Sequence, residues 1–202
     1  ATVLVTGAGR GLGREFARQY AADGWTVIAT ARQPEKAAGP GIEVHRLAVT
    51  DAAGVDALAA RLRGRAIDLL INNAGINPPR DGQGVESMDF AAWSETMAVN
   101  VLAPFRLLQA VLPNLRAAKG AKAITITSRM GSLTEMSAGA IAYRVSKAAV
   151  NAAMKGAALD AATRGIIVAN YHPGWVKTDM GGPNATLTIK DSIASLRAAS
   201  RG

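Results

Sequence analysis

In the stretch Ala142-Tyr-Arg-Val-Ser-Lys-Ala-Ala-Val150, a tyrosine stands four positions before a lysine at the start of an alanine-rich, helix-favouring run. Residues i and i+4 share one face of a helix, so the Tyr143 phenol and the Lys147 ammonium are neighbours. Two chemistries fit that pair. One is a proton donor beside the cation that tunes it; the other is a pair of polar groups on an ordinary helix surface. Spacing alone does not choose between them.

A second stretch, "VTGAGRGLGREFA", carries Gly7, Gly9, Gly11 and Gly13 within seven residues, directly after an apolar run. Glycines there let the backbone approach a pyrophosphate and let a helix pack closely on its strand, while the helix N-terminus offers unpaired N–H groups. The spacing is G-x-x-x-G-x-G and not G-x-G-x-x-G, but a dinucleotide site is still the reading favoured over a merely tight turn. After the next apolar run, "ATARQP" places Arg32 where an acid would hold the ribose 2′-hydroxyl of NAD; no carboxylate precedes Glu35. With Arg10 inside the glycine loop, two cations are available to a 2′-phosphate, so NADP(H) is expected over NAD(H).

These residues need elements to hold them. Short apolar runs alternate along the chain with stretches of helical period: "TVLVT", then 12 to 23; "TVIAT", then 34 to 38; "IEVHRLAV", then 52 to 63. "IDLLINN" precedes a long helical region from about 87 to 112; "AKAITITS" and a helix over 143 to 163 follow, then "GIIVANYHPG". Continuous apolar strands separated by helices predict an α/β fold of the Rossmann type, a doubly wound parallel sheet with helices on both faces. Ligands then lie beyond the carboxyl ends of the strands.

The 202 residues suit one domain spanning 1–202, and 49% hydrophobic content is enough for a core. No apolar run is long enough to span a bilayer, and the chain opens on a strand without a leader, so a cytoplasmic protein with no membrane partner is expected. The absence of cysteine excludes disulfides, thiolate catalysis and Cys-based zinc. His45 and His172 lack partners at metal-ligand spacing, so no metal is expected. The net charge of +8 is scattered; its one dense patch, Arg61, Arg63 and Arg65, reads as a helix end and not as a nucleic-acid site.

Taken in order, the motifs resemble those of the short-chain dehydrogenase/reductase family over nearly the whole chain. "TGAGRGLG", including Leu12, resembles its cofactor loop; Asn72-Asn73-Ala74-Gly75 resembles its N-N-A-G; Tyr143 and Lys147 match Y-x-x-x-K. Asn100 and "ITITSRMG", with Ser128, occupy the remaining catalytic positions, and "HPGWVKTDM" resembles the segment of Pro173, Gly174, Val176 and Thr178 near the nicotinamide. Several phrases are similar to Sniffer-type carbonyl reductases and C-factor-like proteins. The resemblance implies hydride transfer between a nicotinamide and a carbonyl or secondary alcohol. Tyr143 would protonate the substrate oxygen, and Lys147 would favour the phenolate and hold the nicotinamide ribose. Ser128 would donate to the substrate oxygen, and Asn100 would hold a water linking Lys147 to solvent.

Some positions depart from the family pattern. Ser128 and Tyr143 are 15 residues apart, which lengthens the loop between them. Ala48 replaces the polar side chain that meets adenine, leaving the Val49 backbone, and Asp51 is expected to cap the next helix. No seventh strand follows "TDMGGPNATLTIKDSIASLRAASRG", and Gly181 to Ile189 is short for a lid, so an open site is expected. Met130, Met136, Trp175 and Met180 are candidates to line it, while Trp93 and Met97 read as core. A nucleotide-binding signalling or scaffold protein with little turnover is the alternative function. The motifs are compatible with a homo-oligomer and do not require one.

Overall fold

A computed structural model describes residues 1–201. Six strands, β1 (Thr2–Val5), β2 (Thr26–Ala31), β3 (Ile42–Arg46), β4 (Leu69–Asn72), β5 (Lys122–Ile126) and β6 (Ile167–Tyr171), form one sheet in the order β3-β2-β1-β4-β5-β6. Every pairing is parallel. The order reverses between β1 and β4, and there the carboxyl ends open a crevice between helices on opposite faces.

Strand periodicity sorts the core into two layers. Leu4, Ile28 and Leu70 point to one face, where they pack with Val55 and Leu58 of α2 (Ala52–Arg61), Leu107 of α4 (Ala103–Ala110), Leu115 of α5 (Leu112–Arg116) and Met154 of α6 (Ile141–Leu159). Val3, Val5, Val27 and Ile71 point to the other. Phe16, Ala17 and Tyr20 of α1 (Gly11–Ala22) cover them, with Ile193 and Leu196 of α7 (Ile189–Arg201). A fully buried side chain of this size contributes roughly 1.5–3 kcal/mol, so both faces hold the sheet.

Three expected elements differ. The helical stretch at 34 to 38 is only a 3-10 turn over Pro34–Lys36, because the short connection from β2 to β3 leaves no room for an α-helix. The region from 87 to 112 divides into α3 (Phe90–Met97), a π-helical segment Ala98–Leu102 and α4; Pro113 lies at the start of the separate α5. Asp51 stands at the N-cap of α2 but makes no side-chain cap hydrogen bond.

β3 is an edge strand and carries charge, as edge strands do to resist further pairing. Glu43 accepts from both terminal nitrogens of Arg65 (2.9 and 2.8 Å) and meets His45 Nε2 at 2.7 Å. The Arg65 guanidinium holds the Glu43 carboxyl down to about 2, against 4.5 ordinarily. A depressed carboxyl adds stability that is complete above its unfolded value and is lost as pH falls through the folded one. The stability difference between the wild type and Glu43→Gln, followed by chemical denaturation, should be full at pH 7 and close as pH falls from 4.5 toward 2.

Candidate active site

The crevice is organised from β1 and β4. The buried Thr6 hydroxyl accepts from the backbone N–H of Asn73 (3.0 Å) and of Ala74 (3.1 Å), while Asn73 Nδ2 donates to the Thr6 carbonyl at 2.9 Å. The chain can then pass Gly7 against Ala74. A Cβ on Gly7, where φ is +67°, would lie 2.9 Å from the Ala74 Cα; one on Gly13 would lie 2.3 Å from the Gly7 carbonyl oxygen. Both approaches require glycine.

The glycine loop is further anchored by the Ala8 N–H, which donates to the Thr30 carbonyl at 2.9 Å. At α1 no side chain caps the N-terminus and no acid occupies the first turn, so its N–H groups and positive dipole end remain for an anion. Leu12 packs back onto the core. The loop after β6 comes across from the other side: Thr178 Cγ2 would be 3.8 Å from a Cβ on Gly11. Pro173 accepts from the Ser192 hydroxyl (2.6 Å), Gly174 adopts φ +82°, and buried Val176 bridges to Leu187. These surfaces fit a dinucleotide: a glycine cradle that a Cβ would fill, beside an uncapped helix end.

Arg10 and Arg32 differ. Arg32 is exposed just beyond β2. Arg10 Nη1 donates to Asp179 Oδ2 at 2.8 Å, with both side chains largely exposed, at 71% and 79%. Val49 lies against the core; with Thr6 and Ala74 it lines a hollow of about 10 Å³.

Chemistry concentrates around Gly75. A Cβ there would lie 3.3 Å from Asn100 Oδ1 and 3.7 Å from Lys147 Nζ, so the glycine is what lets those two groups converge. Asn100, in the π-helical segment, pairs with both peptide groups of Ile76: Oδ1 accepts from its N–H (2.9 Å) and Nδ2 donates to its carbonyl (2.8 Å). Its other amide hydrogen reaches the Ser146 hydroxyl (3.0 Å), which donates to the Tyr143 carbonyl (2.7 Å). With both amide hydrogens committed, water at Asn100 can only donate to its carbonyl oxygens.

Lys147 Nζ donates to the Ile126 carbonyl at 3.0 Å and sits 5.6 Å from the centre of the Tyr143 ring. Ser128 follows β5 and accepts from the Met130 N–H (3.1 Å). Gly131 in the same turn packs directly on α6, where a Cβ would lie 2.7 Å from the Lys147 carbonyl carbon. Met180 Sδ lies 3.9 Å from the Tyr143 hydroxyl, so the expected open site is covered at this point by a flexible side chain. Trp175 donates to the Gly181 carbonyl (2.8 Å) and Met136 is about half exposed; His172 accepts from the Arg129 N–H (3.3 Å). No cluster of three or more potential metal-binding His, Cys, Asp or Glu residues occurs among the described residues.

Burial sets the charges of this pair. It raises the Tyr143 phenol above its ordinary range, with Ser128 pulling the other way. Lys147 is itself buried, which brings its ammonium down to about 8. A lysine lowered from 10.5 to about 8 disfavours the folded state at neutral pH by on the order of 3 kcal/mol, and the cost disappears as pH rises from 8 to 10.5. Lys147→Met should therefore abolish activity while raising the melting temperature at pH 7. That gain in stability should shrink steadily when melting is repeated between pH 8 and 10.5.

The sequence reading missed Gln83. It is fully buried; Oε1 accepts from the Tyr143 N–H (3.0 Å), and Nε2 donates to the Pro78 carbonyl (2.6 Å) and to Asn77 Oδ1 (3.2 Å). Ala140, the residue before α6, is left-handed (φ +51°) and supplies no side-chain cap, so Gln83 caps the helix from the loop after β4. Tyr143 is thereby held at both its N–H and its carbonyl. Gln83→Leu should lose roughly 1–3 kcal/mol of stability by denaturant titration, because the Tyr143 N–H on α6 and the Pro78 carbonyl in the loop after β4 become unpaired. Turnover should fall further than that loss explains.

The sequence matches the short chain dehydrogenase family over residues 1–186. It is 43% identical to the C-signal of Myxococcus xanthus over 131 residues, which cover 64% of this chain and 78% of that protein. It is 34% identical to the 3-oxoacyl-[acyl-carrier-protein] reductase FabG of Escherichia coli K12 over 188 residues, covering 88% and 74%. Among solved structures, the carbonyl reductase Sniffer of D. melanogaster superposes with a TM-score of 0.89 at 28% identity, covering 98% of this chain and 90% of that one. A short-chain dehydrogenase/reductase from Burkholderia multivorans with bound NADP gives 0.88 at 30% identity, covering 98% and 89%.

Proposed function

Because the chain belongs to the short-chain dehydrogenase family and is an NAD(P)-dependent oxidoreductase, we propose that it is an NADP(H)-preferring carbonyl reductase in which Tyr143 is the proton donor. The observation that carries this is the convergence of the Lys147 ammonium and Asn100 on Gly75, with the Tyr143 ring 5.6 Å from that ammonium. Residues 1–202 act as one nucleotide-binding domain in the cytoplasm. No described helix is long and apolar enough to cross a membrane.

The glycine loop from Gly7 to Gly13 and the α1 N-terminus would hold the pyrophosphate, Asn73, Ala74 and Gly75 would flank the ribose, and Pro173, Gly174, Val176 and Thr178 would face the nicotinamide. Arg32 and Arg10 would take the 2′-phosphate, Arg10 exchanging Asp179 for it. When bound, the nicotinamide donates or accepts the hydride. Ser128 donates a hydrogen bond to the substrate oxygen. As that oxygen gains electron density, the Tyr143 O–H bond breaks and its proton moves to it. Lys147, held near 8, stabilises the resulting phenolate and returns a proton to it. A phenol raised by burial stays protonated at neutral pH, which suits reduction.

A second reading rests on the 43% identity to C-signal: a nucleotide-binding signalling protein with little turnover. One assay separates the two. NADPH and NADH oxidation would be followed with aldehydes, quinones and ketones, for the wild type, Tyr143→Phe and Arg32→Asp. The reductase reading expects turnover with NADPH, a loss of about 100-fold or more in Tyr143→Phe with cofactor binding kept, and a tenfold or greater shift toward NADH in Arg32→Asp. Cofactor binding without turnover of any carbonyl would favour the signalling reading.

A further inference from the structure

Arg144 is a buried charge without a counter-charge. It follows Tyr143 on α6, is only 8% exposed, and has no carboxylate partner among the described residues. Its Nε donates to the Gly139 carbonyl at 3.0 Å and its Nη2 to the Ser137 hydroxyl. The other terminal nitrogen, Nη1, has no protein partner among the described residues and is not sealed away from solvent. Arginine cannot shed its proton to escape burial, and a guanidinium bonded only to neutral oxygens is incompletely compensated. An anion arriving at Nη1 would complete it.

The space for one is present. Arg144 lines an open cavity of about 350 Å³ with Arg129, Met130, Glu135 and Ser137, a volume within the usual range for small-molecule sites. Arg129 and Glu135 form a loose, exposed pair at 3.4 Å, so the cavity keeps a net positive charge. Its two arginines are the immediate sequence neighbours of the two hydroxyl groups in the site: Arg129 follows Ser128 and Arg144 follows Tyr143. The lengthened loop between Ser128 and Tyr143 supplies Glu135 and Ser137, and so forms the remaining wall.

We propose that Arg144 binds a carboxylate carried by the substrate, which makes the substrate class carbonyl compounds bearing a carboxylate. This rests on the oxidoreductase reading of the same site. The test compares 4-carboxybenzaldehyde with its methyl ester, NADPH being the reductant. The wild type should favour the acid in kcat/KM, and in Arg144→Met that preference should fall tenfold or more, mainly through KM. The ester measures any loss common to both substrates. Glu135→Gln, at an exposed position, should raise the preference by removing a competing carboxylate. Equal losses on both aldehydes in Arg144→Met, or an unchanged ratio in Glu135→Gln, would overturn the assignment. Calorimetric titration of 4-(hydroxymethyl)benzoate with NADP+ present gives a readout independent of turnover. If neither aldehyde is reduced but this anion binds and Arg144→Met weakens it tenfold, the anion site stands and the reductase reading fails. If the anion does not bind the wild type, or binds both proteins equally, the anion site fails.

Discussion

The carboxamide of Asn100 is the contact on which the site's geometry turns. A parallel sheet brings its strand ends to one edge but leaves the loops beyond them without ladder partners, and each unpaired buried peptide group there is costly. Asn100 supplies the partners that a strand would have supplied, pairing with the N–H and carbonyl of Ile76. The same side chain reaches Ser146, and Ser146 holds the Tyr143 carbonyl. The loop after β4 and the helix that carries Tyr143 thus share one anchor. Gln83 completes the circuit from the same loop to the Tyr143 N–H. The π-helical turn at Ala98–Leu102 belongs to this arrangement, since wider turns in helices recur where a side chain must be re-aimed at a functional site.

A frame this rigid has an electrostatic consequence. On an exposed helix, Tyr143 and Lys147 would be a weakly interacting surface pair. Buried, each is moved toward its neutral form: the phenol upward, the ammonium downward. Their proton affinities therefore move apart, the phenol above its usual 10.0 and the ammonium to about 8, so a proton passes downhill from Lys147 to a Tyr143 phenolate. A destabilising buried lysine accompanies that gradient.

Much of this was legible in the sequence where the signal is local. Apolar runs located all six strands, glycine spacing located the tight turn between β1 and α1, and the Y-x-x-x-K spacing located α6. What was not legible depends on partners distant in the chain. Gln83 meets Tyr143 across 60 positions, and Arg10 meets Asp179 across 169. Thr6 reads as an ordinary strand-end residue until its hydroxyl is seen between two backbone N–H groups of β4's loop. The 3-10 turn at Pro34–Lys36 and the break at Pro113 follow from how far the chain must travel between neighbouring elements, which hydrophobic period does not encode.

The same distinction explains the positive charge. The densest basic run in the sequence, Arg61 to Arg65, is partly neutralised in the fold, because Arg65 grips Glu43 with two hydrogen bonds. Arg32 beyond β2 and Arg144 beside Tyr143 have no carboxylate partner among the described residues, and neither do the exposed Arg14, Arg46 and Arg106 elsewhere on the surface. Arg10 is paired with Asp179, but an ion pair so exposed is weakly held. Net charge counted along the chain therefore does not say which cations are free, because pairing is decided by partners far away in sequence, as Arg65 with Glu43 and Arg10 with Asp179 show.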